Sequence, residues 1–124
     1  MATHKRRVLC VEDDADTCEM LAVLLGLEDF EVNAAQTVAE GLAKARGEGF
    51  DLILLDNRLP DGTGVELCRR IREFDLVTPI IFISASAFLT DRVAGLGAGA
   101  NAYLAKPVEI AELMRLIRQL LPAV

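Results

Sequence analysis

The stretch DLILLDNRLPDGTG, residues 51–64, constrains the fold more than any other part of this chain. Leu52 to Leu55 are an apolar run too short for a buried helix and closed off by a segment rich in Pro and Gly, so they suit a strand covered on both faces. Such a strand should end at Asp56. In a parallel sheet flanked by helices, that position is the carboxyl edge, where α/β proteins gather their chemistry. Asn57, Pro60, Gly62 and Gly64 then break regular structure and turn the chain towards a helix. Asp56 is therefore the leading candidate for a functional residue.

The same alternation runs from end to end. RVLCV (Arg7 to Val11) reads as a short buried strand, followed at once by Glu12, Asp13, Asp14 and Asp16. Capping of the next helix accounts for acids at Asp14 and Asp16, but less well for Glu12 and Asp13, which stand where the strand stops. Asp16 to Leu27 has helical spacing, with Cys18, Leu21, Leu24 and Leu25 on one stripe. Met20, Val23 and Leu27 fall off it, either to pack on a neighbouring element or to form an exposed docking patch. Phe30 to Ala34 is a second strand, Val38 to Arg46 a second helix and Val65 to Phe74 a third. IIFIS, opened by Pro79 and closed by Ser84, is a fourth strand. Ala85 to Ala98 holds a shorter Gly- and Ala-rich helix, expected to be among the less rigid parts. Asn101 to Ala105 is the fifth strand, ending at Lys106-Pro107, and Glu109 to Leu121 the last helix. Alternating strands and helices predict an α/β, doubly wound, five-stranded parallel sheet. Its strand ends would bring Glu12, Asp13, Asp56, Ser84 and Lys106 together.

Composition narrows the function. With 124 residues the chain fits one domain, with no room for a second. No window reaches the roughly 18 uninterrupted apolar residues of a membrane span, and MATHKRR leads into no long apolar segment, so a soluble, cytoplasmic protein is expected. Three cysteines without a C-x-x-C (Cys10, Cys18, Cys68) fit reduced, buried thiols. A net charge of −6 without a basic, aromatic stripe gives direct nucleic-acid binding little support. The lone His4 receives no role.

Glu12, Asp13 and Asp56 in one place would repel one another unless protons or a cation neutralised them. Carboxylate and carbonyl oxygens suit Mg²⁺ (or Mn²⁺), which keeps several waters and often shares its shell with a phosphate. Asp56 can then act as a carboxylate nucleophile towards phosphorus, giving an aspartyl phosphate, with Lys106 and the Ser84 hydroxyl on the equatorial oxygens.

Along nearly its whole length the chain resembles the receiver domain of two-component response regulators. The matching motifs are VEDD after the first strand, LLD with Pro60 four residues on, ISA closing the fourth strand, and GANAYLAKP around the fifth. The resemblance implies a flavodoxin-like (βα)5 fold with strand order 2-1-3-4-5 and a single receiver domain over residues 1–124, ordered over about 6–121, with no output domain in view. It implies a phosphoacceptor signalling domain rather than an enzyme, assisting its own phosphorylation and dephosphorylation. Asp56 would be phosphorylated by a histidine kinase or phosphotransfer protein. Asp13, Asp56 and the backbone carbonyl of Arg58 would bind Mg²⁺, and Glu12 would act through a metal-bound water. Lys106 would grip the phosphoryl group, Ser84 and Tyr103 would form the switch, Arg58 and Ser86 would tune dephosphorylation, and Lys106-Pro107 would be a cis peptide. Helix one, with Met20 and Val23, is expected to dock the phosphodonor. The face of helix four, strand five and helix five, including Tyr103 and Leu116, would meet an unnamed protein target or a second receiver.

The chain departs from the family pattern in three places. Ser84 stands where threonine is frequent and lacks the methyl that stiffens χ1. Asn57 replaces a usual apolar residue and Thr63 a usual acidic one. Two competing functions remain: a nucleotide- or flavin-binding domain, whose phosphate the EDDAD loop would repel, and a pseudo-receiver that only binds proteins, which would lack the acid pair, the aspartate or the lysine.

Overall fold

A computed structural model describes residues 5–85 and 88–122. In chain order the elements are β1 (Arg6–Val11), α1 (Ala15–Gly26), β2 (Phe30–Ala35), α2 (Val38–Gly47), β3 (Leu52–Leu55), β4 (Arg58–Leu59), β5 (Gly62–Thr63), α3 (Gly64–Arg72), β6 (Ile80–Ser84), α4 (Leu89–Gly97), β7 (Ala102–Ala105) and α5 (Ile110–Leu120). The main sheet runs β2-β1-β3-β6-β7 with every pair parallel. Setting the small β4–β5 hairpin aside, this is the expected 2-1-3-4-5 order. Successive connections lead outwards in opposite directions from β1 and β3, so the crevice between those two strands is the switch point of the sheet.

Each central strand feeds two cores. Val8 and Cys10 of β1 join Leu21, Leu25, Leu113 and Ile117 on the α1/α5 side, while Leu9 and Val11 join Leu42, Leu67 and Ile71 on the α2/α3 side. No residue of β3 is more than 1% exposed, which is why its sequence is an unbroken apolar run.

Most boundaries fall within a residue or two of the expectation. β7 begins at Ala102 because the Asn101 side chain leaves the strand pattern to accept the Ile80 N–H at 2.9 Å and an Arg72 N–H at 3.2 Å. The β4–β5 hairpin adds to the expected elements, because two pairs of residues, Arg58 with Thr63 and Leu59 with Gly62, leave no periodic trace in the sequence. α4 starts only at Leu89, lacks a side-chain cap, and buries only Gly95 among its residues, the shallow anchorage expected of a Gly-rich helix. Met20 and Val23 of α1, and Leu27 just past its end, are exposed rather than packed against a neighbour.

Gly64, where the chain turns into α3, is required for space. A Cβ there would lie 2.3 Å from the Asp56 carbonyl oxygen and 2.8 Å from the Phe82 ring. Gly64→Ala is expected to cost about 2–3 kcal/mol in urea unfolding. Gly97→Ala, whose Cβ would meet nothing within 4 Å, should be neutral or stabilising by up to about 1 kcal/mol. Equal behaviour of the two variants would refute the steric argument.

Candidate functional site

Glu12, Asp56 and Lys106 each stand one residue beyond a strand and are still pinned by its ladder. Their backbone N–H groups donate to Ala35, Val11 and Ser84 carbonyls, each at 2.9 Å. Three side chains from distant parts of the chain therefore leave the same edge from fixed backbone. Glu12, Asp13 and Asp56 each offer a carboxylate oxygen, and these oxygens lie within 4.8 Å of one another. Glu12 and Asp56 are buried and Asp13 is exposed. The Lys106 ammonium bridges the two buried acids, donating to Glu12 Oε1 in a short contact and to Asp56 Oδ2 at 3.2 Å. Ser84 is buried. A cleft of about 290 Å³ opens over Asp56, lined also by Arg58, Ser84, Ala85 and Phe88.

One ammonium among three carboxylates leaves the site short of positive charge. Desolvation is the largest influence on Glu12 and raises its pKa. The Lys106 hydrogen bond opposes the shift and neighbouring Asp56 adds to it, leaving the carboxyl at about 7. Burial alone would lower the Lys106 pKa. Its hydrogen bond to Glu12 and the charges of Asp56 and Glu12 outweigh that and hold it above the ordinary lysine value. An all-oxygen donor set with surplus negative charge, open on one side, fits a hard divalent cation such as Mg²⁺. The fourth acid has a different task. Asp14 accepts the Asp16 N–H at 3.2 Å and the Thr17 hydroxyl at 2.7 Å, capping α1.

The loop after Asp56 is held by side chains whose purpose the sequence did not disclose. The Arg58 N–H reaches Asp56 Oδ1 at 3.4 Å. Asn57 accepts the Val65 N–H through its side chain at 3.2 Å and the Gly64 N–H through its carbonyl at 2.9 Å. Thr63 accepts the Glu66 N–H at 3.1 Å as the N-cap of α3. Both unusual residues thus serve the amides at the start of α3. Asp61 accepts two amides of α2, and nothing local could have revealed it, since its partners lie 22 and 23 residues earlier.

Tyr103 is buried and stacks on Phe82 with ring centroids 5.5 Å apart, and the Arg92 guanidinium lies 5.8 Å from the Tyr103 ring centroid. Leu116 is half-buried against the α1/α5 core, so the exposed apolar surface near this face belongs to Phe88, Leu89, Val93 and Leu96. The Lys106–Pro107 peptide is cis. Cys10, Cys18 and Cys68 are free and buried, with 3.8 Å between the sulfurs of Cys10 and Cys18. Ser86 lies outside the described residues.

A family model described as the response regulator receiver domain matches residues 8–118. The chain belongs to that family. Over 115 residues this receiver is 40% identical to the uncharacterized transcriptional regulatory protein YkoG of Bacillus subtilis (strain 168), covering 93% of this chain and 50% of that protein. It is 39% identical to the transcriptional regulatory protein TrcR of Mycobacterium tuberculosis, covering 93% and 45%. The chain spans about half the length of the curated relatives it matches. Among solved structures, a CheY-like receiver from Methanospirillum hungatei JF-1 superimposes with a TM-score of 0.88 at 37% identity, covering 92% of this chain and 91% of that one. The receiver domain of the sensor histidine kinase PA1611 of Pseudomonas aeruginosa PAO1, solved with a magnesium ion in its active site cleft, gives 0.85 at 32% identity, covering 93% and 96%.

The electrostatics of this receiver predict a pH dependence without divalent cations. Because Glu12 holds its proton in the folded state to about pH 7, against 4.5 ordinarily, its contribution to stability is full below about pH 4.5. It is lost as pH rises through about 7. Asp14, Asp61 and Asp75, all held low, act in the opposite sense and in more acidic solution, below the window between about pH 5 and 8 in which Glu12 titrates. In chelator, urea unfolding of the wild type should lose on the order of 2–3 kcal/mol across that window, and Glu12→Gln should be nearly flat. Parallel curves would show that Glu12 is not the titrating group.

Proposed function

We propose that residues 6–121 act as one receiver unit in which Asp56 is the phosphoacceptor. The observation that carries this reading is the Lys106 ammonium 3.2 Å from Asp56 Oδ2, beside an acid pair and below an open cleft. Response regulator receivers work with histidine kinases or phosphotransfer proteins. The Asp56 carboxylate attacks phosphorus as the P–N bond of a phosphohistidine breaks. The bonding pair returns to the imidazole, which takes up a proton from solvent. Lys106 exchanges carboxylate oxygens for a phosphoryl oxygen, and the Ser84 hydroxyl donates to another. Asp13, Asp56 and the Arg58 carbonyl would hold Mg²⁺ or Mn²⁺, with Glu12 acting through water. When bound, the ion neutralises charge on the transferred group.

Signal leaves through the chain's own packing. Withdrawal of Lys106 and Ser84 towards a phosphoryl group alters the end of β6 and the start of the β7–α5 connection. Tyr103, stacked on Phe82 of the neighbouring strand, carries that change to the α4–β7–α5 face. That face would meet a protein target or a second receiver. α1 offers Met20 and Val23, 44% and 60% exposed, as the docking patch for the phosphodonor. Water attack on the acyl phosphate returns Asp56, and the exposed Arg58 side chain shields it, so the domain tunes its own dephosphorylation. Among the described residues no helix is long and apolar enough to cross a membrane.

Intact mass after incubation with Mg²⁺ and a small acyl phosphate should show one added phosphoryl group, absent with Asp56→Asn or chelator and formed about a hundredfold more slowly with Lys106→Ala. Paired Met20→Glu and Val23→Glu should spare that reaction but slow transfer from the histidine donor about tenfold or more. No adduct on the wild type would sink the phosphoacceptor reading, and unaffected transfer would sink the docking patch. Arg58→Ala should shorten the lifetime of the phosphorylated form, and an unchanged decay rate would remove Arg58 from that role.

A further inference from the structure

Asp61 lies at the tip of the β4–β5 hairpin, whose first arm begins at Arg58, two residues after Asp56. Its carboxylate oxygens accept the Val38 N–H at 2.7 Å and the Ala39 N–H at 3.0 Å, the first two amides of α2. These two backbone bonds are the main reason its carboxyl is held below the usual range. The tip also rests directly on the helix, since a Cβ on Gly62 would lie 3.2 Å from Val38 Cγ2. α2 does not depend on Asp61 alone, because Thr37 caps it locally by accepting the Glu40 N–H at 3.0 Å.

A hairpin with two residue pairs has no stability of its own. Its shape depends on what holds its base and its tip. At the base, the Asn57 carbonyl accepts the Gly64 N–H at 2.9 Å. At the tip, Asp61 clamps the loop to a helix that belongs to the sheet. Between the two anchors runs the Arg58 backbone, whose N–H touches Asp56 Oδ1 at 3.4 Å.

We propose that Asp61 is a positioning residue for the cation site. By clamping the hairpin tip to the first turn of α2, it holds the Arg58 carbonyl and the Asp56 carboxylate in the placement that a divalent cation needs. This rests on the reading of those two groups as Mg²⁺ ligands. Partners that orient metal ligands from outside contribute strongly because a ligand free to wander must be ordered again on binding.

The test is calorimetric titration of the full chain with Mg²⁺, comparing wild type, Asp61→Ala, Asp61→Asn and Thr37→Ala, with thermal unfolding alongside. Asp61→Ala should raise the Mg²⁺ Kd about tenfold, the low end of outer-partner effects. Asp61→Asn, which keeps one acceptor oxygen, should recover part of that loss and carries the test if the alanine variant fails to fold. Thr37→Ala removes the local α2 cap without touching the hairpin, so it should lower Tm and leave Kd unchanged. In phosphorylation by a small acyl phosphate, Asp61→Ala should shift the half-saturating Mg²⁺ upward by the same factor while sparing the rate at saturation. A normal Kd in Asp61→Ala, or in Asp61→Asn should the alanine variant not fold, or an equal loss in Thr37→Ala, would reduce Asp61 to an ordinary helix cap and overturn the proposal. Wild type that takes up no Mg²⁺ is a distinct result, overturning the metal-site reading and this inference with it.

Discussion

Carboxylates forced together at the carboxyl edge of a parallel sheet are the constraint on which the rest of the molecule depends. Glu12 and Asp56 are buried side by side and share one ammonium, while Asp13 stands exposed at their margin. Their repulsion and desolvation are unfavourable to folding, and burial is what pushes Glu12 to about 7. A surface ion cluster of the same composition would be screened and of little consequence. Here the two unbroken apolar cores hold the strand ends in register, so the charges cannot move apart. The stability of the sheet thus maintains a site that is electrostatically unsatisfied and open to a cation and a phosphoryl group.

Phe82 packs between that site and the surface of α4 and β7. It lies on the strand beside β3, directly under Gly64, where the loop after Asp56 enters α3. The same ring touches the space above Gly95 of α4 and stacks on Tyr103 of β7. A change at the strand ends therefore meets one rigid aromatic body in contact with the loop, α4 and the neighbouring strand. α4, with only Gly95 buried and no side-chain cap, is the element least able to resist it.

Some of this was legible without coordinates because its causes are local. LILL between turn residues identifies a doubly covered strand, and Cys18, Leu21 and Leu25 at helical spacing are the buried residues of α1. The run of acids after VLCV left two explanations open. The structure divides them, with Asp14 capping α1 and Glu12 and Asp13 facing Asp56. Asn57 and Thr63 had only departed from a pattern until their partners in α3 became visible.

The sequence by itself determined the alternation of elements, the apolar strands and the residue types that end them, because periodicity, turn chemistry and charge act over a few neighbouring residues. It also carried motifs specific enough to indicate the family. Only the tertiary structure decided that Lys106 bridges Glu12 and Asp56 across 94 and 50 residues of chain, and that Asp61 serves the amides of α2. Those contacts arise from strand order and crossover packing. They join residues with no local relation, and their strength depends on burial that no single segment possesses.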